Sequence, residues 1–401
     1  MDLPSYRIGK TVFGSSASIA AAYERFRAMP IDETRLAQDR SSPFPTKRQT
    51  ILGEAPVAGI GTFKGSEKQT LTFAPPNKPG WWIRRMDLPE QLDTAVDVAN
   101  LWTSAQNLVL RSGSPHNYLR MVEHIIALKV GLGVDDVLLK VNSGDPPLFE
   151  QSSLPLIKAM EHAKIVETDE DATYVTVKEP VAFGGGRGDF LLFLPAENGE
   201  KNLRIDCGIS WNTVIGNQRI LFDVTPETFR YAALARTNAT RRQYILAKTV
   251  GKLFAATRNW GYNDKNILIH GKRKFYTEPR FPVGDKFLEP VWHRATLDLM
   301  AAIALIGGSS RFVGTVVSYR GAYARLRCDP RPPPQRPPVV RVTAIVQRWF
   351  AFPCAVTVGA IVLALRRVSP RIRRTASPHV AQFGTRPLVP CLTFHKARFS
   401  S

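Results

Sequence analysis

The stretch MVEHIIAL, residues 121–128, begins an apolar helical pattern that continues into GLGVDD at residues 131–136. It places the carboxylate of Glu123 directly beside the imidazole of His124 at the start of a predicted helix. Metal-assisted hydrolysis needs a metal ligand and a proton acceptor within a few ångströms of each other. The pair is therefore a candidate hydrolytic site, although spacing alone favours a buried helix with one polar turn.

The composition is that of a globular protein with room for two or three domains. The chain has 401 residues, of which 44% are hydrophobic and 22% are charged. Its net charge is +20, but the residues from Arg325 onward carry 14 Lys and Arg and only one acid. The remaining chain is modestly basic, which suits an anionic substrate and gives no strong argument for nucleic acid. We expect a monomer without a nucleic-acid partner.

Cysteine usage indicates a reducing compartment. No two of the four cysteines form a CxxC pair, so neither a zinc ribbon nor a disulfide framework is indicated. We therefore expect the cytoplasm or an organellar matrix. The four positions are Cys207, Cys328, Cys354 and Cys391.

Both ends of the chain differ in composition from the middle. Residues 1–45 are interpreted as an N-terminal extension, which is either a targeting segment or unstructured. Residues 325–401 form an Arg/Pro-rich tail that includes 17 uncharged residues at 349–365, a length at the short edge of a membrane span. The tail indicates peripheral or C-terminal membrane association, or else sequence outside the fold that a gene-model error has joined on.

Between these ends, strands followed by helices are predicted twice. In residues 46–168, short apolar runs separated by Gly/Pro turns predict strands, and helices follow at 121–129 and 154–163. In residues 169–324, strands come first again, and helices follow at 225–236 and 289–306. Thr225 and Pro226 suit the cap and the first position of the former helix. The pattern predicts an α+β fold of two similar domains, each a β-sheet packed on a pair of α-helices.

A series of motifs around Glu123 and His124 resembles the UDP-3-O-acyl-N-acetylglucosamine deacetylase family, zinc enzymes of lipid A biosynthesis. The resemblance covers about residues 46–324 and depends on the order of the motifs, because Val-Glu-His alone is weakly specific. In chain order the motifs are Gly59-Ile60-Gly61, Leu71-Thr72-Phe73-Ala74-Pro75, Ile83-Arg84-Arg85, Asp145-Pro146-Pro147-Leu148, Ile215-Gly216-Asn217-Gln218, Ala235-Arg236-Thr237, Glu289-Pro290-Val291-Trp292-His293 and Leu297-Asp298.

The resemblance implies an active site between the two domains and hydrolysis of the acetamide of an acylated UDP-N-acetylglucosamine. It assigns the general base to Glu123 and the oxyanion-stabilising hydroxyl to Thr237. A Zn²⁺ ion would be held by two histidines and an aspartate, which match His124, His293 and Asp298. The place of a basic residue that contacts the charged substrate is taken by Arg294.

The spacing of the last two ligands departs from the family. The family's histidine and aspartate lie four residues apart on one helix face, whereas His293 and Asp298 lie five apart and would point about 140° apart on a regular helix. Three explanations remain open: the helix starts later, the helix bulges, or His293 is not a ligand.

The family's general-acid histidine and its aspartate partner are also missing. Ala302 stands where the family has the aspartate, and Tyr323 stands where it has the histidine. Losing a general acid or base typically lowers a rate about 10²–10⁴-fold. Besides a working deacetylase, the sequence therefore allows a degenerate homologue that binds nucleotide sugar or a partner. A basic membrane-associated binding module, suggested by the tail, is the alternative from another class.

Overall fold

Two β-sheets, of seven and six strands, organise the chain in a computed structural model. The structure describes residues 3–38, 42–65, 67–102, 107–185, 188–197, 199–249, 261–306 and 308–321. The tail at 325–401, with its apolar run at 349–365, lies outside the described residues. None of the helices in the described part is long and apolar enough to cross a membrane.

The helices are α1 (Ser16–Arg27), α2 (Glu123–Gly131), α3 (Leu154–His162), α4 (Pro226–Ala232), α5 (Arg241–Lys248), α6 (Glu289–His293) and α7 (Met300–Ala304), with a 3₁₀ turn at Val98–Asn100 and a π-helical segment at Arg294–Leu299.

The strands are β1 (Lys10–Phe13), β2 (Glu33–Arg35), β3 (Lys47–Ile51), β4 (Ala55–Gly61), β5 (Lys68–Ala74), β6 (Trp81–Arg85), β7 (Asp93–Ala95), β8 (Val109–Arg111), β9 (Tyr118–Arg120), β10 (Val137–Val141), β11 (Pro147–Leu148), β12 (Ile165–Asp171), β13 (Tyr174–Val175), β14 (Val181–Gly184), β15 (Phe190–Leu194), β16 (Leu203–Trp211), β17 (Gly216–Asp223), β18 (Asn238–Thr240), β19 (Leu268–His270), β20 (Pro282–Val283), β21 (Lys286–Phe287), β22 (Arg311–Phe312) and β23 (Gly314–Arg320).

The six-stranded sheet has the order β11-β4-β5-β10-β6-β7. Its neighbours are antiparallel except for β10 and β6, which run parallel with Leu139 opposite Ile83. Alternation of buried and more exposed residues along β5 and β6 is typical of strands with one face on a core. The strands predicted in residues 46–168 are confirmed.

The helices α2 and α7 pack against each other, and α2 also contacts the π-helical segment. Leu128, Met300 and Ile303 belong to one buried apolar cluster that also includes side chains from both large sheets. The Nζ of Lys129 donates to the carbonyls of Ala304 and Gly308, which ties α2 to the end of α7. The apolar residues of α2, which the sequence pattern predicts to be helical, therefore lie at the centre of the core.

The seven-stranded sheet has the order β1-β14-β15-β23-β16-β17-β2, so both of its edge strands come from the first 35 residues. Helix α1 packs Ile19, Tyr23 and Phe26 onto this sheet, in a cluster with Phe190 and Tyr319. Residues 10–35 of the expected N-terminal extension are therefore folded. Two of their elements are strands of three and four residues whose partners lie about 170 to 190 residues away, and local patterning does not reveal such pairing.

The α+β class is confirmed by these sheets and helices, and the domain boundaries at 46, 169 and 324 stay predictions. Thr225 caps α4 by accepting from the amide of Thr228, with Pro226 at the first position, as the sequence predicts. The helix predicted at 289–306 is instead three consecutive helical segments, α6, the π-helical segment and α7.

Candidate active site

The Glu123-His124 pair begins helix α2 directly after strand β9. Met121 has φ 45°, a left-handed conformation that is uncommon for a residue with a side chain, and it turns the chain from strand to helix within two residues. Glu123 is 6% exposed, and its Oε1 accepts from the amide of Leu108. Its Oε2 is buried and has no hydrogen-bond partner among the described residues, so one carboxylate oxygen is available for another group.

Two imidazoles converge on one hydroxyl. The Nε2 of His124 lies 3.1 Å from the Oγ1 of Thr237, and the Nε2 of His293 lies 3.2 Å from the same oxygen. The ring centroids of the two histidines are 5.5 Å apart. Residues from three separate parts of the sequence, α2, the turn before β18, and α6, thus meet at one point.

Two serine hydroxyls fix the tautomer of His124. Ser152 donates to the carbonyl of Ala235, and Ser153 donates to the carbonyl of His124 itself. Both hydroxyl oxygens also lie 3.4 Å from the Nδ1 of His124. Since each hydroxyl proton is already used, the network assigns the imidazole proton to Nδ1. The Nε2 of His124 therefore carries a lone pair, which is the form that ligates a metal.

The π-helical segment resolves the irregular spacing of His293 and Asp298. A π-helix closes i→i+5 hydrogen bonds, so it absorbs one extra residue and brings positions five apart onto one side. The hydroxyl of the buried Thr296 donates to the carbonyl of Trp292 at 2.6 Å, an insertion into the i−4 ladder that favours such a bulge. The Nδ1 of His293 consequently lies 3.9 Å from the Oδ2 of Asp298.

Asp298 is paired with Arg294 inside this segment. The Nη1 of Arg294 donates to the Oδ2 of Asp298 at 3.2 Å, and both side chains are about nine-tenths buried. Burial raises the pKa of Asp298, whereas the charge of Arg294 lowers it. The carboxylate that the resemblance assigns to zinc therefore has a guanidinium partner.

Burial controls the protonation of the other site residues. It raises the pKa of Glu123 to about 8, against a hydrogen bond from Leu108 that lowers it. It lowers the pKa of His124 to about 3 and that of His293 to about 4. At neutral pH both imidazoles are therefore neutral, as metal ligands must be, and Glu123 is mostly protonated.

An ion pair holds Thr237 and His293 in register. The carboxylate of Glu289, which is fully buried, accepts from the backbone amide and the guanidinium of Arg236, with an Nε–Oε1 distance of 2.7 Å. Arg236 directly precedes Thr237, and Glu289 lies one helical turn before His293. The pair thus links the two backbone segments that supply the hydroxyl and the second imidazole.

Known proteins match the part of the chain that builds this site. The sequence model of the UDP-3-O-acyl N-acetylglycosamine deacetylase family matches residues 48–325. The chain belongs to this family. Relatives from Brucella ovis, Brucella canis and Brucella melitensis, each named UDP-3-O-acyl-N-acetylglucosamine deacetylase, are 23% identical to it over 278 residues. The matched part is 69% of this chain and 91% of each relative.

Of the two positions where the sequence departs from the family's general-acid histidine and its aspartate partner, the structure describes one. Ala302 is fully buried in the middle of α7 and brings no polar group to the site. The place of the histidine, Tyr323, lies outside the described residues. Arg320, at the end of β23, lies close enough for its charge to lower the pKa of Asp298.

The structure brings together five of the six predicted site residues as one chain of contacts, His124–Thr237–His293–Asp298–Arg294. Glu123 is adjacent in sequence to His124, and the charge of Asp298 contributes to raising its pKa. Their chemical roles stay predictions. Sequence reasoning missed the tautomer-fixing hydroxyls of Ser152 and Ser153 and the cation of Arg320, because such assignments depend on tertiary contacts.

Proposed function

We propose that the chain is a zinc-dependent N-deacetylase that removes the acetyl group from UDP-3-O-acyl-N-acetylglucosamine, a step of lipid A biosynthesis. The convergence of His124 and His293 on Thr237, beside the buried carboxylate of Glu123, is the observation that carries this proposal. The substrate comes from the names of the relatives.

The residue types at the site fit a zinc ion, but Asp298 must first be released from its ion pair with Arg294. Two neutral imidazoles and a carboxylate are a donor set that zinc prefers in hydrolytic sites. Within the described residues, no three His, Cys, Asp or Glu side chains are positioned together as a metal site. The carboxylate of Asp298 is engaged by Arg294 at 3.2 Å. We propose that His124, His293 and Asp298 hold the zinc once that ion pair opens.

The chain's own groups have separate tasks in the hydrolysis. A zinc ion held by His124, His293 and Asp298 would supply Lewis acidity, which lowers the pKa of a water molecule and polarises the amide carbonyl. Glu123 would accept the proton of the attacking water and return it to the leaving nitrogen as the C–N bond breaks. A divalent cation near His124 would favour the ionised carboxylate that the first of these tasks needs. The hydroxyl of Thr237 stabilises the charge that develops on the carbonyl oxygen.

Two groups of side chains suit the two ends of the substrate. The buried guanidinium groups of Arg294 and Arg320 would supply positive charge for the diphosphate. Helix α5 follows Thr237 by only a few residues and exposes the apolar side chains of Ile245 and Leu246, which are 49% and 50% exposed. An exposed apolar pair at this place is suited to contact the acyl chain.

A degenerate homologue that binds the nucleotide sugar without hydrolysing it is the second candidate. Two observations favour it. The Arg294–Asp298 ion pair engages the carboxylate that the family pattern uses for zinc, and the buried Ala302 replaces the family's aspartate.

Acetate release separates the two candidates. Full-length protein is supplied with zinc and the acylated UDP-sugar, and Glu123→Gln is the control because it keeps the acceptor for Leu108 and cannot take a proton. Release by the wild type and a loss of about 10²-fold or more in the variant support the deacetylase. Tight substrate binding with no release by either protein supports the degenerate homologue.

A further inference from the structure

The N-terminal segment, residues 6–37, lies outside the span that the family matches, which begins at residue 48. It nevertheless contacts a side chain of helix α6, the helix that carries His293. The carboxylate of Glu33 accepts from the indole Nε1 of Trp292 at 2.8 Å, and Trp292 is the residue directly before His293.

The Glu33–Trp292 bond is built into a fixed setting. Trp292 is fully buried, so its N–H needs a protein acceptor, and an unpaired buried donor destabilises its surroundings. Glu33 is the first residue of β2, which pairs in parallel with β17 with Glu33 opposite Ile220 and so has a defined register. The second oxygen of its carboxylate accepts from Arg35 at 2.6 Å, which orients the group.

Neighbouring contacts hold the N-terminal segment on both sides of Glu33. Asp32 accepts from the amide of Arg219 at 2.8 Å and from the Nζ of Lys286 at 2.7 Å. The guanidinium of Arg35 stacks on the ring of Tyr231 at 3.6 Å, and that ring packs edge-on against Trp292. The contact with Trp292 is therefore part of a packed cluster and not the chance position of one flexible side chain.

We propose that Glu33 is a positioning residue that fixes helix α6, and through it the imidazole of His293, from a segment added to the family's fold. The N-terminal segment, residues 6–37, is accordingly part of the structure that holds the site in place. The inference rests on the proposed function only for its effect on zinc; its effect on α6 is independent of it.

Hydrogen exchange followed by mass spectrometry tests this in the full-length protein. Glu33→Ala leaves the indole without its acceptor, and we expect about tenfold faster exchange in peptides from 289–299, with no change in those from 137–141. Glu33→Gln keeps a carbonyl acceptor and should restore slow exchange. Glu24→Ala is the matched control, because Glu24 is an exposed glutamate of α1 whose ion pair with Arg27 is 4.0 Å long.

A double-mutant cycle separates positioning from general stabilisation. Trp292→Phe removes the donor, so adding Glu33→Ala to it should produce no further acceleration at 289–299. Additive effects, or equal acceleration in both large sheets, would overturn the proposal. Zinc affinity, measured by chelator competition, should fall about tenfold in Glu33→Ala and recover in Glu33→Gln. If the wild type binds no zinc, the proposed function fails while the exchange data still decide the role of Glu33.

Discussion

Replacing Arg294 by methionine should raise the affinity of the site for zinc. The guanidinium lies 3.2 Å from the Oδ2 of Asp298, which is the oxygen 3.9 Å from His293. A zinc ion must therefore displace Arg294 and tolerate its charge. A charge-assisted hydrogen bond contributes roughly 1.5–3 kcal/mol, so removing it should tighten zinc binding by roughly 10- to 100-fold. Methionine has a similar length and brings no charge.

The Arg294→Met variant should differ from the wild type in opposite directions in two measurements of thermal stability, one without zinc and one with it. Without zinc, the variant should unfold at lower temperature than the wild type, because Asp298 loses its buried partner. With zinc, the increase in melting temperature should be larger than for the wild type, and chelator competition should give the tighter constant. Arg242→Met removes an exposed arginine of α5 and controls for net charge. Zinc affinity that is unchanged or weaker in Arg294→Met would refute the competition between Arg294 and zinc.

Two further predictions follow from the described contacts. Replacing Ser152 and Ser153 together by alanine removes both acceptors of the Nδ1 proton of His124, and zinc affinity should fall about 10–100-fold; an unchanged affinity would show that the tautomer is fixed otherwise. Burial lowers the pKa of Lys129 to about 8, so between pH 8 and about 10.4 the unfolded chain binds more protons than the folded one, and stability rises with pH. Urea unfolding measures the free energy of unfolding of the wild type and of Lys129→Met. From pH 8 to 10, the value for the wild type should rise by roughly 2 kcal/mol relative to that of the variant. A difference that does not change with pH would contradict this.

The sequence predicted the elements whose signals are local. The apolar period of α2, the strand runs at β5, β6 and β10 and the Thr225 cap depend on residues that are neighbours in the chain. The extra residue between His293 and Asp298 was visible as a spacing error. Its structural solution was not, because a π-helical bulge depends on the buried hydroxyl of Thr296 and on packing against α2.

The N-terminal segment shows where local signals are insufficient. Its helix α1 has a readable pattern, with buried Ile19, Ala22, Tyr23 and Phe26 at helical spacing. The strands beside it are three and four residues long, and their partners are far along the chain. The contact of Glu33 with Trp292 spans 259 residues, so no pattern within the sequence indicates it.

Anomalous diffraction at the zinc absorption edge, from crystals of the zinc-loaded full-length protein, tests the central claim most directly. We expect a single strong peak about 2.0–2.2 Å from the Nε2 atoms of His124 and His293 and from a carboxylate oxygen of Asp298. We also expect that Arg294 has left Asp298. A zinc ion bound elsewhere, or no peak while Asp298 stays paired with Arg294, would contradict the claim.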